Sequence, residues 1–202
     1  MTIEIQPLSP DLILSYLDFF DNRAFSDDSP CGPCYCTSPS MDAASEAQMV
    51  SEFGDDIKGT LRNYAINLLI AGRIRGYLAF ENDIPVGWCN SGDRDGYLAW
   101  IPEIAREVSL GKTISVLCFA IAPGYRGQGL SLALLERIIE DAKDKGYSAV
   151  EGYPRVQKDR EPYDFNGPLR LYEKAGFMET ARQADIVVMS KDLREYPTAF
   201  DQ

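Results

Sequence analysis

The chain has 202 residues, 45% hydrophobic and 25% charged, enough for one domain with a sizeable core and without any stretch biased enough to read as disordered. Its 31 acidic against 20 basic residues give a net charge of −11, which argues against nucleic acid or an anionic membrane as partner and suits a cationic one better. The opening MTIEIQPLSPD lacks the basic and apolar segments of a secretory signal, and no apolar run approaches the roughly 18 residues of a membrane span, so a cytoplasmic location is expected.

In chain order, residues 2–7 alternate as a short strand, and Ser9-Pro10-Asp11 then offers a cap for the helical run LILSYLDFF. Residues 21–40, with their prolines and cysteines, read as a loop. Residues 41–74 have a helical pattern interrupted at Gly54 and Gly59, predicting two shorter helices with Leu61, Tyr64, Ala65, Leu68 and Leu69 on the buried face. Residues 76–81 and 85–90 read as strands joined by a tight polar turn at Glu81-Asn82-Asp83. Residues 91–111 mix loop signals (Gly92, Asp93, Asp95, Gly96) with the helical EIAREVSLG, and no element is assigned to them.

The five cysteines, at 31, 34, 36, 89 and 118, form an odd set without an export signal and read as reduced thiols. CGPCYC has spacing that zinc or redox chemistry uses, but the chain has no histidine, so Cys31, Cys34 and Cys36 read as small loop residues and no metal is expected. A domain organised by a cysteine-bound metal stays open as an alternative.

From residue 113 the pattern sharpens. ISVLCFAIAP is a continuous apolar, β-rich run, as in a strand covered on both faces. GYRGQGLS follows, and then Leu130, Leu134, Ile138 and Ala142 recur every fourth residue in an amphipathic helix that ends near Gly146. Residues 148–153 make the next strand, completing a strand–loop–helix–strand crossover. Glycines at 127 and 129 let main-chain amides converge at the helix N-terminus, a cradle for phosphate to which Arg126 could add charge. A plain tight turn is the alternative. No Gly-Lys-Ser/Thr follows, which excludes a P-loop, and the third glycine of a dinucleotide fingerprint is absent.

At these residues the chain resembles the GNAT family of N-acetyltransferases, whose acetyl-CoA loop has the pattern R/Q-x-x-G-x-G/A. Arg126, Gly127, Gln128, Gly129, Leu130 and Ser131 match it, with serine in the last place instead of glycine or alanine. LYEKAGF, residues 171–177, is similar to the family's later helix and turn, with Asn166 one residue closer to the tyrosine than the pattern has it. The resemblance implies an α/β (mixed α+β) fold: a twisted mixed sheet of about six to seven strands, flanked by helices and splayed between its fourth strand (113–122) and its fifth (148–153). It also implies acetyl-CoA as co-substrate. Main-chain groups around Phe119 and Ile121 would pair with the pantetheine arm, Asn166 would touch it, and amides from Gly127 to Ser131 would take the diphosphate. The oxyanion would be met by a β-strand amide near Phe119, and Tyr172 would protonate the departing thiolate.

The base is not assigned: Glu151, Asp93 and Asp95 are candidates, each also readable as a solvated surface acid, and a chain of waters is the alternative. Trp88 and Asn90 are candidate substrate contacts, with CGPCYC as a lid over them, although Trp88 and Trp100 could equally be core. The expectation is one domain over residues 1–202 that passes acetyl groups directly to an amine of a small molecule or a protein, compatible with a homodimer, with no nucleic acid or membrane partner. A catalytically idle CoA-binding or protein-interaction module is the alternative.

Overall fold

A computed structural model of the chain describes residues 2–97, 99–107, 110–156 and 165–194. The elements run β1 (Ile3–Pro7), α1 (Ile13–Asn22), α2 (Ala43–Ser51), α3 (Ile57–Ile70), β2 (Gly76–Glu81) and β3 (Ile84–Asp93) in the first half. Then follow α4 (Glu103–Arg106), β4 (Thr113–Ile121), α5 (Leu130–Asp144), β5 (Ala149–Gly152), α6 (Leu169–Lys174), β6 (Met178–Gln183) and β7 (Ile186–Asp192). The seven strands form one mixed sheet in the order β1-β2-β3-β4-β5-β7-β6, in which only β4 and β5 are parallel neighbours.

Local chemistry accounts for most boundaries. The β2–β3 turn places Asn82 and Asp83 at φ +48° and +65°, the left-handed pair that a two-residue hairpin needs and that Asn and Asp tolerate. Gly54 falls in the break between α2 and α3, but Gly59 does not interrupt anything. It sits in the first turn of α3, where its N–H donates to the capping carboxylate of Asp56 at 2.8 Å and where a Cβ would collide with that carboxylate. The unassigned stretch resolves into the end of β3, a 3₁₀ turn at Arg94–Tyr97 and the short α4. Tyr97, Ile101 and Ala105 are buried there with Leu117, Tyr153 and Val188, a packing partner set that sequence periodicity does not reveal.

The sheet has cores on both faces. Leu130, Leu134, Leu135 and Ile138 of α5 pack with Val116 and Phe119 on one face; Tyr16, Phe19, Leu61, Leu68 and Leu69 from α1 and α3 pack with Leu78, Phe80 and Trp88 on the other. That double cover explains the unbroken apolar run of β4. Pairing of β3 with β4 shifts where Asn90 faces Cys118 while Ser91 faces Val116, so Leu117 is the extra residue of a bulge.

The bulge coincides with the parting of the sheet. β4 and β5 pair only over Thr113–Val116 and Ala149–Gly152. Beyond Gly152 the chain follows β7, with Val187 N–H bonded to Pro154 O at 3.0 Å and Val156 N–H to Asp185 O at 2.7 Å. β4 meanwhile continues along β3 as far as Ile121. The expected splay between the fourth and fifth strands is therefore present, its vertex at Val116 and Gly152.

Candidate active site

Three parts of the chain meet along the far half of β4: the glycine loop at its end, α6 with the residues before it, and the β3 face carrying Trp88 and Asn90.

The glycine loop turns through Gly127 (φ +75°) and Gly129 (φ +85°), conformations that cost an L-residue about 1–2 kcal/mol, and a Cβ at either would meet nothing within 4 Å. The glycines thus serve backbone shape and open approach instead of close packing. The amides of Gly127, Gln128, Gly129, Leu130 and Ser131 meet no acceptor among the described residues, and α5 begins at Leu130 with no side-chain cap. Five main-chain donors at the positive end of a 15-residue helix have the chemistry that suits an anion. Leu130 is buried and anchors the first turn in the core, Ser131 is half-buried, and the Gln128 side chain donates to Gly124 O at 2.7 Å.

Arg126 is not a free charge beside this cradle. Its guanidinium donates to Ile121 O (3.0 Å), Asp27 Oδ2 (2.5 Å) and Ala24 O (3.3 Å), and the Arg126 hydrogen bond holds the Asp27 carboxyl below its usual range. The residue ties the loop to the connection after α1. Asp27 lies 99 residues away in sequence, and no local signal marks it.

Tyr172 is fully buried on α6, with its ring edge-on to Phe177 at 5.4 Å. Its other face lies on Gly152 at the vertex, where any Cβ would overlap the ring. A glycine inside a strand permits such close approach. The Tyr172 hydroxyl donates to Asn166 O at 2.7 Å. Asn166 Nδ2 in turn donates to Leu117 O at 2.8 Å, and Phe119 N–H donates to Phe165 O at 2.7 Å. The β4 edge expected to pair with a ligand arm is therefore held by residues 165–166. Ile121 pairs with Gly87 of β3, and its carbonyl takes the Arg126 bond.

Trp88 and Asn90 lie on the sheet face opposite α5, and both are completely buried. Trp88 stands edge-on to Tyr16 at 4.9 Å within the α1 core. Asn90 Nδ2 donates to Cys36 Sγ at 3.3 Å, so the CGPCYC segment does cover this face. Donors from Cys118, Trp88 and Asn90 hold the Cys36 thiol pKa down against its burial, while burial pushes Cys34 up to about 12. Ser40 Oγ, Asn90 Oδ1, Ser91 Oγ and Tyr97 Oη are buried without a hydrogen-bond partner among the described residues. Trp100 is exposed. All five cysteines are free, and among the described residues no three His, Cys, Asp or Glu side chains are placed to hold a metal.

Of the three candidate acids, Asp95 is exposed and Asp93 half-buried, but Glu151 is fully buried, against the surface reading. Facing Ser115 at the vertex, it accepts from Tyr153 Oη (3.1 Å), Arg94 Nη1 (3.3 Å) and Ser190 Oγ (3.4 Å). Burial raises its pKa, opposed by Arg94, Tyr153 and Ser190. A carboxyl whose pKa is higher folded than unfolded binds its proton more tightly in the folded state, so its contribution is most favourable in acid and declines as pH rises past the ordinary value of 4.5. Urea unfolding of the wild type and Glu151→Gln across pH 4 to 8 should show the wild-type advantage shrinking as pH rises; an advantage that grows would mean that the Arg94 pair outweighs burial.

A sheet parted beside a buried tyrosine, with an amide cradle at the open end of the strand, defines an α/β protein of the acyl-CoA N-acyltransferase fold class. A family model described as the acetyltransferase (GNAT) family matches residues 41–177, and the chain belongs to that family. Similar solved structures include yncA of Salmonella typhimurium with its cofactor acetyl-CoA (16% identity, TM-score 0.52, 98% of each chain covered). The PaiA N-acetyltransferase of Thermoplasma acidophilum in complex with coenzyme A is another (15% identity, TM-score 0.53, 95% of this chain and 99% of that one). A third is the ribosomal-protein-S18-alanine N-acetyltransferase of Escherichia coli (14% identity, TM-score 0.51, 98% of each chain). At these identities the likeness is one of fold. A sequence comparison with curated proteins gives no match. No described helix is long and apolar enough to cross a membrane.

Proposed function

We propose that the protein is an N-acetyltransferase that moves the acetyl group of acetyl-CoA directly to a primary amine, on a small molecule or a protein. The observation that carries this reading is the set of five amides from Gly127 to Ser131, without acceptors among the described residues, at the open end of a strand that parts from β5 where Tyr172 is buried against Gly152. Acetyl-CoA supplies a thioester activated for attack by an amine. The Gly127–Ser131 amides and the α5 dipole hold its diphosphate, and the β4 edge at Phe119 and Ile121 aligns its arm. Phe119 N–H is the donor for the oxyanion, and Tyr172 Oη, ordinarily protonated at neutral pH, donates to the departing sulfur. On the opposite face, Trp88 and Asn90 are assigned to the acceptor beneath the CGPCYC cover, with Asn90 Oδ1 lacking a partner among the described residues. Glu151 is the acid at the vertex, and its raised pKa suits proton uptake. The five free thiols agree with a reducing, cytoplasmic setting.

One observation favours a second reading, a non-catalytic CoA-binding or protein-interaction module: Phe119 N–H and Tyr172 Oη are both already bonded. Calorimetry with acetyl-CoA, followed by a screen of primary amines for release of CoA thiol, separates the two. Uptake with turnover supports the enzyme, uptake without turnover supports the module, and no uptake removes both. Gly129→Ala is expected to weaken acetyl-CoA binding roughly tenfold, because a residue leaving φ +85° withdraws its amide from the cradle.

A further inference from the structure

The short stretch at 165–167 makes contacts that neither the sequence pattern nor the family match explains. Past Val116, no described strand pairs with β4 on its β5 side, yet two of its main-chain groups there are satisfied: Phe119 N–H by Phe165 O at 2.7 Å, and Leu117 O by Asn166 Nδ2 at 2.8 Å. Asn166 also holds the buried tyrosine, since its carbonyl oxygen accepts from Tyr172 Oη at 2.7 Å. Gly167 permits this, with φ +80° and a Cβ position only 2.9 Å from Leu171 Cδ2 and 3.3 Å from the Phe119 ring, so that the chain lies directly on β4 before Pro168 opens α6. One strap thus occupies the oxyanion donor, a carbonyl of the arm-binding edge and the hydroxyl assigned to the leaving group.

Chemically, the strap offers β4 an amide carbonyl and an amide N–H. The pantetheine arm carries the same groups, two amides on a flexible chain. From this match we infer that residues 165–166 are an internal stand-in for the acyl-pantetheine arm: they close the β4 edge until acetyl-CoA binds and then leave it, releasing Phe119 N–H from Phe165 O and Tyr172 Oη from Asn166 O together. The inference rests on the acetyl-CoA reading above and adds regulation to that site. Displacement exchanges three bonds of the chain for three to the ligand, so its cost lowers apparent affinity by the fraction of molecules with the strap open. Asn166 is a positioning residue in this scheme. The family pattern has its asparagine touch the arm and so strengthen binding; the strap has Asn166 oppose binding.

The two roles predict opposite signs. Calorimetry with acetyl-CoA on wild type and Asn166→Ala, each checked for folding by circular dichroism, should show binding about fivefold tighter in the variant, the effect of one ordinary hydrogen bond removed from the closed state. Stopped-flow binding should reach a ceiling rate at high acetyl-CoA in the wild type, set by strap opening, and that ceiling should rise in the variant. Asn166→Asp, which keeps the volume but cannot donate to Leu117 O, serves if the alanine variant does not fold. Equal or weaker binding in the variants overturns the strap and leaves the acetyl-CoA reading standing. Binding by the variants alone supports the strap, and binding by none of the proteins overturns both.

Discussion

Tyr172→Phe is expected to lower turnover with acetyl-CoA and a competent amine about a hundredfold or more, while the affinity for acetyl-CoA stays the same or tightens slightly. The size follows from losing a positioned proton donor to the leaving sulfur, worth on the order of 10²–10⁴ in rate. The specificity of the test comes from packing. The ring is completely buried between Gly152 and Phe177, so phenylalanine keeps every apolar contact and removes only the oxygen. That oxygen donates to Asn166 O at 2.7 Å, so its loss removes one bond that holds the strap and loosens it, the reason for the slight tightening. Steady-state kinetics by thiol release, paired with calorimetry, separates the effects; unchanged turnover removes Tyr172 from the chemistry, and a parallel loss of binding recasts it as a structural anchor.

Gly152→Ala carries the largest expected effect on stability. An ideal Cβ at this position would sit 2.6 Å from Tyr172 Oη and still closer to ring carbons, in a strand with β4 on one side and β7 on the other. Neither partner is the far end of a flexible chain, so backbone or ring must move. Overpacking of this kind costs roughly 1–3 kcal/mol and more when rigid groups are involved. With about 2–4 °C of melting temperature per kcal/mol for a chain of this size, a fall of roughly 6–12 °C is expected for a cost near 3 kcal/mol. Tyr172→Leu removes the colliding atoms, so the double variant should be more stable than the sum of the two single losses. A melting temperature within about a degree of wild type for Gly152→Ala would show that the strand and helix do not meet as described. Because the vertex is built on this contact, the variant should also lose turnover.

Much of the site is legible in the amino-acid sequence. The glycine loop announces itself because positive φ and an uncapped helix start are properties of a few adjacent residues, and LYEKAGF does so for the same reason. The period of two puts Trp88 and Asn90 on one strand face, but it tells neither their depth nor the way Cys36 covers Asn90. Glu151 shows the limit from the other side. An isolated glutamate in a strand reads as a surface acid, and only the convergence of Arg94 and Ser190 from two other stretches, beside the neighbouring Tyr153, makes its burial tolerable.

By itself, then, the amino-acid order determined most of the succession of elements up to the strand at 148–153, the crossover that places a glycine loop at the end of β4, and the family to which such a loop points. These depend on side-chain period, caps and turn residues, whose influence extends over one or two turns of chain. Tertiary structure alone decided that Asp27 claims Arg126, that Gly152 admits Tyr172, and that residues 165–166 lie on the β4 edge. Each of these joins stretches that only the closed sheet and its two cores bring together, and shape complementarity across such distances leaves no periodic trace in sequence.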